Sequence, residues 1–253
     1  MSVPVPPPLE VFLDFDGTLV EPNVAIVLIS EFAEDGPRVA KEVDEELHAG
    51  RITLRQAWER EAALLSARRI PEMIEFVRRE IPLRDGAHEL LALLRRYRVP
   101  TTIVSGGLDF YIAPVLARES IDLPFMSDTA VPDPRGYLRV VHPHGHPTCH
   151  LCGICKAQVV RPPGPASQRT SIFIGDGSTD KYAAEVADIV FARRRLADLC
   201  TVQHIPFFRF EAFHPVTERL GRWMEGGEPL PPPRRAGLVD SPCPVSWNTA
   251  HPG

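Results

Sequence analysis

Two aspartates one residue apart close an apolar run, Val11-Phe12-Leu13-Asp14-Phe15-Asp16-Gly17-Thr18-Leu19, and that spacing suits phosphoryl transfer. Side chains alternate faces along a strand, so Asp14 and Asp16 leave one side of a sheet while Phe15 points into packing. Glycine at 17 lets the backbone turn sharply. Paired carboxylates at a strand end can hold a divalent cation, and one can attack phosphorus while the other moves protons. Taken alone, the motif also admits a second, less favoured reading, an acidic turn after a buried strand.

Three later segments add to it. Val99-Pro100-Thr101-Thr102-Ile103-Val104-Ser105-Gly106-Gly107 is apolar and β-branched until it ends in a hydroxyl and two glycines. It reads as a second buried strand opening a loop around an anion, with Ser105 as a phosphate ligand. Thr170-Ser171-Ile172-Phe173-Ile174-Gly175-Asp176-Gly177-Ser178-Thr179-Asp180 repeats the pattern, and Asp176 can complete a metal site. Between them Lys156 opens a short helical stretch, where a fixed ammonium can neutralise a phosphoryl group.

Taken in order, these segments resemble the four motifs of the haloacid dehalogenase superfamily, across most of residues 10 to 192. The resemblance implies a magnesium-dependent phosphomonoesterase. Asp14 would be the nucleophile that becomes an aspartyl phosphate, and Asp16 the acid and then base of the two half-reactions. Mg2+ would take the Asp14 carboxylate, the Asp16 backbone carbonyl and the Asp176 carboxylate. Ser105, the Gly106 amide and Lys156 would hold the phosphoryl oxygens. Asp180 is either an outer-sphere carboxylate or a helix cap, and Thr18 either steadies Asp16 or is a plain turn threonine.

Within the superfamily the chain resembles the methylthiopentenyl-phosphate phosphatases of methionine salvage, through Val104 to Phe110, the cysteine-rich approach to Lys156, and Gly175 to Asp180 followed by Ala187 to Arg193. Phosphoserine phosphatases are the nearest competitor, and phosphocholine or phosphoethanolamine hydrolysis a further one. A phosphomutase or a non-catalytic zinc-binding module ranks below. Substrate choice would fall to the residues of an inserted cap, with Glu21, Asn23, Trp58, Arg60 and Glu61 as candidate contacts.

These residues need a scaffold that delivers strand ends to one place. Apolar residues recur at three- and four-residue intervals over Val24 to Phe32, Val39 to Leu47, Leu54 to Leu65 and Pro71 to Val77, which reads as a helical cap over residues 22–82. Helix, strand and helix then alternate through Ala87 to Tyr97, the Ser105 strand, Asp109 to Glu119, Ser171 to Ile174, Lys181 to Ala187, Ile189 to Ala192 and Pro206 to Phe210. The expected fold is α/β: a doubly wound parallel sheet, Rossmann-like, over residues 9–21 and 83–225, whose ligands bind beyond the strands' carboxyl ends. Residues 226–253 form a Pro-rich, disordered tail in this reading.

Length and composition suit such a core. The 253 residues are 44% hydrophobic and 24% charged, with a formal net charge of -5, which offers nucleic acid no general surface. Arg193-Arg194-Arg195 and Arg234-Arg235 read as solvated charges. No signal peptide or membrane span is evident, so a cytoplasmic protein acting on a small phosphorylated metabolite is expected, with no nucleic-acid or membrane partner. The oligomeric state is not readable. Finally, Cys149, Cys152 and Cys155, among neighbouring histidines, have knuckle-like spacing and are candidates for Zn2+, although all of them crowd into one stretch.

Overall fold

The computed structural model describes residues 8–161 and 169–234; the proline run at the N-terminus, Arg235 and the Pro-rich tail from 235 onward lie outside the described residues. Strand β1 (Leu9–Leu13) leads into the acidic turn. Helices α1 (Val24–Phe32), α2 (Gly36–His48), α3 (Leu54–Ala62) and α4 (Ile70–Glu80) follow. The chain continues through α5 (Ala87–Arg96), β2 (Thr101–Leu108), α6 (Asp109–Arg118), β3 (Phe125–Pro132) and β4 (Leu138–Val141). It closes with α7 (Lys156–Val160), β5 (Thr170–Gly175), α8 (Lys181–Val186), β6 (Ile189–Ala192), α9 (Arg194–Val202), β7 (Phe208–Arg209) and α10 (His214–Met224).

The strands form one seven-stranded sheet in the order β4-β3-β2-β1-β5-β6-β7. It is parallel at β1 with β2 and β5, at β5 with β6, and at β6 with β7; β3 and β4 pair antiparallel. Val11 of β1 is level with Thr101 of β2 and Ile172 of β5. This is the Rossmann-like doubly wound architecture that the alternation of elements implies.

Contacts divide the described residues into two units, one holding residues 8–19, 83–104 and 156–234, the other 20–82 and 105–155. Within the second unit, Leu138 donates its amide to the Leu65 carbonyl at 2.9 Å, and Ser66 bridges Tyr137 antiparallel.

In the first unit β1, β5 and β6 lack polar alternation because both sheet faces are covered: Leu13, Ile172, Phe173, Ile174 and Phe191 are all buried. Asp14 follows at once, its amide donating to the Ile174 carbonyl at 2.9 Å, so the strand pairing itself sets its position.

In the second unit, α1 begins at an Asn23 cap whose side chain accepts from the Ile26 amide at 3.2 Å. Helix α3 begins with a capping box between Thr53 and Gln56. Its Glu59 faces a buried polar cluster: His142 Nε2 lies 3.1 Å from Glu59 Oε1, and its Nδ1 lies 2.9 Å from Asp128 Oδ1. A Cβ at position 153 would sit 2.1 Å from the Asp128 carboxylate, so only glycine lets that loop pass.

Burial pushes the His142 imidazole's pKa down, but Asp128 and Glu59 outweigh it and hold it above the ordinary 6.5. A raised histidine pKa contributes stability that is complete below 6.5 and is lost as pH rises through the folded value. His142→Gln is therefore expected to cost about 1–3 kcal/mol at mildly acid pH and much less in mild alkali. Melting curves of both proteins across that range decide it: a gap that does not change with pH means the imidazolium contributes nothing.

Candidate active site

Residues 15–18 fold as a tight turn. Asp16 has φ -68° and ψ 121°, and Gly17 has φ 74° and ψ -7°, the dihedrals of a type II turn, which requires glycine at its third position. A second constraint acts there: a Cβ on Gly17 would stand 2.4 Å from an Asp176 carboxylate oxygen. The turn thus presses against the loop after β5, and the carboxylates of two strand ends meet.

Lys156 is 3% exposed, and its Nζ donates to Asp14 Oδ1 and to Asp180 Oδ1, both at 2.6 Å. The other Asp180 oxygen accepts from the amides of Asp176 at 2.9 Å and Gly177 at 3.0 Å. Asp180 therefore joins the two roles the sequence left open: it caps the loop and steers the lysine. The Thr18 hydroxyl, read from the sequence as either steadying Asp16 or a plain turn threonine, donates its proton to Asp176 Oδ1 at 3.3 Å, because the turn carries it back toward β5. Asp14, Asp176 and Asp180 each bring an oxygen to within 4.8 Å of the others.

Electrostatics follow from that crowding. Burial first, and then Asp180 and Asp176, raise the Asp14 carboxyl well above the usual carboxylate range, with Lys156 opposing. Burial and Asp180 push Asp176 up to about 6, against Lys156 and Arg193. For Lys156, burial pulls its pKa down, but Asp14 and Asp180 more than reverse this, so it stays cationic throughout the working range. Three buried carboxylates that share one ammonium are short of positive charge, and a hard dication with oxygen ligands fits that deficit.

Two residues escaped the sequence reading. Arg84 and Arg193, 4% and 5% exposed, both donate to the Gly17 carbonyl, at 2.7 and 2.8 Å. Arg193 is thus not one of the solvated charges expected of its cluster; it ends β6, and a cation at the carboxyl end of a parallel strand was the available signal. Arg234 is likewise engaged, its guanidinium on the Ala184 and Ala187 carbonyls.

Ser105 and Gly106 belong to the second unit, where Ser105 is buried and its Oγ accepts from the Gly107 amide at 2.9 Å. Among the cap residues, Arg60 is paired with Glu46 at 2.5 Å, Trp58 is half-buried, and the Glu21 amide donates to the Pro82 carbonyl at 3.2 Å. Burial, and then Asp44, push Glu61 up to about 7.

Among the described residues Cys149, Cys152 and Cys155 form no disulfide and no three-ligand metal group. Three of their histidine neighbours have protein partners: His142 contacts Glu59 and Asp128, His146 accepts from the Cys149 amide at 3.0 Å, and His150 lies 3.1 Å from Arg55. Among the described residues no helix is long and apolar enough to cross a membrane.

The model of the haloacid dehalogenase-like hydrolases matches residues 11–185. A 2-hydroxy-3-keto-5-methylthiopentenyl-1-phosphate phosphatase of Bacillus thuringiensis subsp. konkukian is 29% identical over 221 residues, 86% of this chain and 98% of that one. Among solved structures, a phosphoserine phosphatase holding a phospho-aspartyl intermediate analogue superposes with a TM-score of 0.63 at 17% identity, over 84% of this chain and 98% of its own. A phosphoserine phosphohydrolase-like protein from Francisella tularensis gives 0.63 at 19% identity, over 84% and 99%. At such identities the structural matches speak for the fold.

Proposed function

The chain belongs to the haloacid dehalogenase-like hydrolases, and from that premise we propose a magnesium-dependent phosphomonoesterase that works through a phosphorylated Asp14. The observation that carries this reading is the convergence of Asp14, Asp176 and Asp180 on Lys156.

Asp14, the Asp16 carbonyl and Asp176 would hold Mg2+, which when bound screens the repulsion between an anionic nucleophile and an anionic ester. Asp14 attacks phosphorus in line as the ester P–O bond breaks, and Asp16 gives its proton to the departing oxygen. The same carboxylate then takes a proton from the water that opens the aspartyl phosphate. Lys156 keeps the Asp14 carboxylate aimed and offsets charge on the transferring group, and Asp180 holds Lys156 in place. The family resemblance would give the remaining phosphoryl oxygens to Ser105 and the Gly106 amide.

The substrate we propose is a methylthiopentenyl phosphate like that in the name of the Bacillus relatives, which match 86% of this chain. Glu61, half-buried and held up to about 7, supplies no cation to bind the carboxylate of phosphoserine. We therefore rank phosphoserine second. The cellular setting that fits this reading is the cytoplasm.

The test is phosphate release from a panel of phosphorylated metabolites with Mg2+ and then with EDTA. Hydrolysis should require the metal, and an inert protein would end the reading. Mg2+ at about a hundredfold above its Kd should also stabilise the fold by about 2.7 kcal/mol. Calorimetry checks this; a shift undiminished in Asp176→Asn would place the cation elsewhere.

A further inference from the structure

The Gly17 carbonyl is held by two cations from separate parts of the chain. Arg84, just before α5, places Nη2 at 2.7 Å from Gly17 O, Nε at 2.7 Å from Thr18 O and Nη1 at 3.2 Å from Glu211 O. Arg193, at the end of β6, places Nη1 at 2.8 Å from Gly17 O and Nη2 at 3.0 Å from the Glu211 carboxylate.

Burying a guanidinium costs several kcal/mol, and both of these spend donors on one turn: Gly17 O takes one from each, and Thr18 O takes a second from Arg84. What they share is the turn bearing Asp16. Glycine at 17 is demanded by φ 74° and by the Asp176 carboxylate, and glycine is also the residue that leaves a backbone loosest. A turn that must contain glycine, and must also aim a proton donor to within a fraction of an ångström, needs an external restraint.

We propose that Arg84 and Arg193 are positioning residues for Asp16, a two-armed clamp that fixes the turn so that its carboxyl meets the leaving oxygen. This rests on the phosphatase reading above. In the step concerned, the Asp14 oxygen bonds to phosphorus, the ester P–O bond breaks, and the proton passes from Asp16 to the alkoxide.

The experiment compares kcat/KM for two esters, glycerol phosphate, whose alkoxide must be protonated to leave, and p-nitrophenyl phosphate, whose phenolate leaves unaided. Because kcat/KM covers only the steps up to transfer onto Asp14, the later role of Asp16 with water does not enter. Arg84→Lys and Arg193→Lys keep the charge but lose the fork. Each is expected to lower kcat/KM for glycerol phosphate on the order of 10- to 100-fold, and for p-nitrophenyl phosphate by less than about threefold.

In an Asp16→Asn background the same substitutions should add almost nothing, since groups acting through one carboxyl are not additive. Equal losses with both esters, or full additivity with Asp16→Asn, overturn the clamp while leaving the phosphatase standing. A wild-type protein inert to both esters overturns the phosphatase and the clamp with it. Should the arginine variants fail to fold, Glu211→Ala removes the acceptor that holds Arg193 through a side chain that is 67% exposed. It should show the same ester selectivity at smaller size, and its absence there counts against the clamp.

Discussion

Asp14→Asn is expected to abolish turnover, on the order of 10⁴- to 10⁶-fold in kcat, the scale of losing a covalent nucleophile, while leaving the metal-free fold at least as stable. The two halves have separate causes. An amide has the carboxylate's shape but not its nucleophilicity, so the phosphoenzyme cannot form. Stability should hold because burial, Asp180 and Asp176 together make the Asp14 anion unfavourable where it sits. A carboxylate whose folded pKa is raised costs stability above that pKa, and a neutral amide removes the cost. Against this, Lys156 loses one anionic partner but keeps Asp180 at 2.6 Å.

Steady-state phosphate release and melting curves without Mg2+ check both halves. Residual turnover above about 1% would mean that Asp14 is not the nucleophile. A large fall in melting temperature would mean that the Lys156 contact outweighs the crowding of carboxylates.

Much of this arrangement was legible because strand ends announce themselves. Asp14 and Asp176 follow apolar runs whose parallel pairing brings their ends level, and α1 and β6 fall over the residues their periodicity marks. The hairpin β3–β4 was not legible. Its first strand carries Ser127 and Asp128, both buried, so the apolar signal that normally betrays a strand is missing. Helix α10 was overlooked although Val216, Leu220, Trp223 and Met224 line one face, a pattern that was there to be read.

Arg84 and Arg193 were hidden for a different reason. A charged residue in a sequence signals solvent by default, and only the fold reveals that these two are buried on a glycine carbonyl. The same default works in reverse for the cysteine-rich loop. Its spacing advertises a metal, but His142 is engaged by Glu59 and Asp128, and His150 by Arg55.

Lys156→Met should damage the fold as well as the reaction, which separates its role from that of Asp14. The substitution leaves Asp14, Asp176 and Asp180 within 4.8 Å of one another without the ammonium that now contacts two of them. Breaking a buried pair on one side typically costs about 3–5 kcal/mol, and activity should fall a further 10²- to 10³-fold or about as much as losing one transition-state donor. The loss of stability should depend on pH. Asp14 and Asp176 already titrate above the ordinary range, and removing their cation raises them further. Protonation then relieves the repulsion, so the variant should be least stable in mild alkali and recover as pH falls, starting above the value of about 6 that Asp176 has beside Lys156. Adding Asp14→Asn to Lys156→Met should restore part of the stability, because it removes one of the stranded charges, while restoring no activity. That sign is the discriminating one: two substitutions that each remove a contact would ordinarily sum to a weaker protein. Chemical denaturation of the single and double variants, across pH and without Mg2+, measures it. A double variant weaker than Lys156→Met alone would show that Lys156 holds Asp14 by packing, and that carboxylate repulsion does not govern the site.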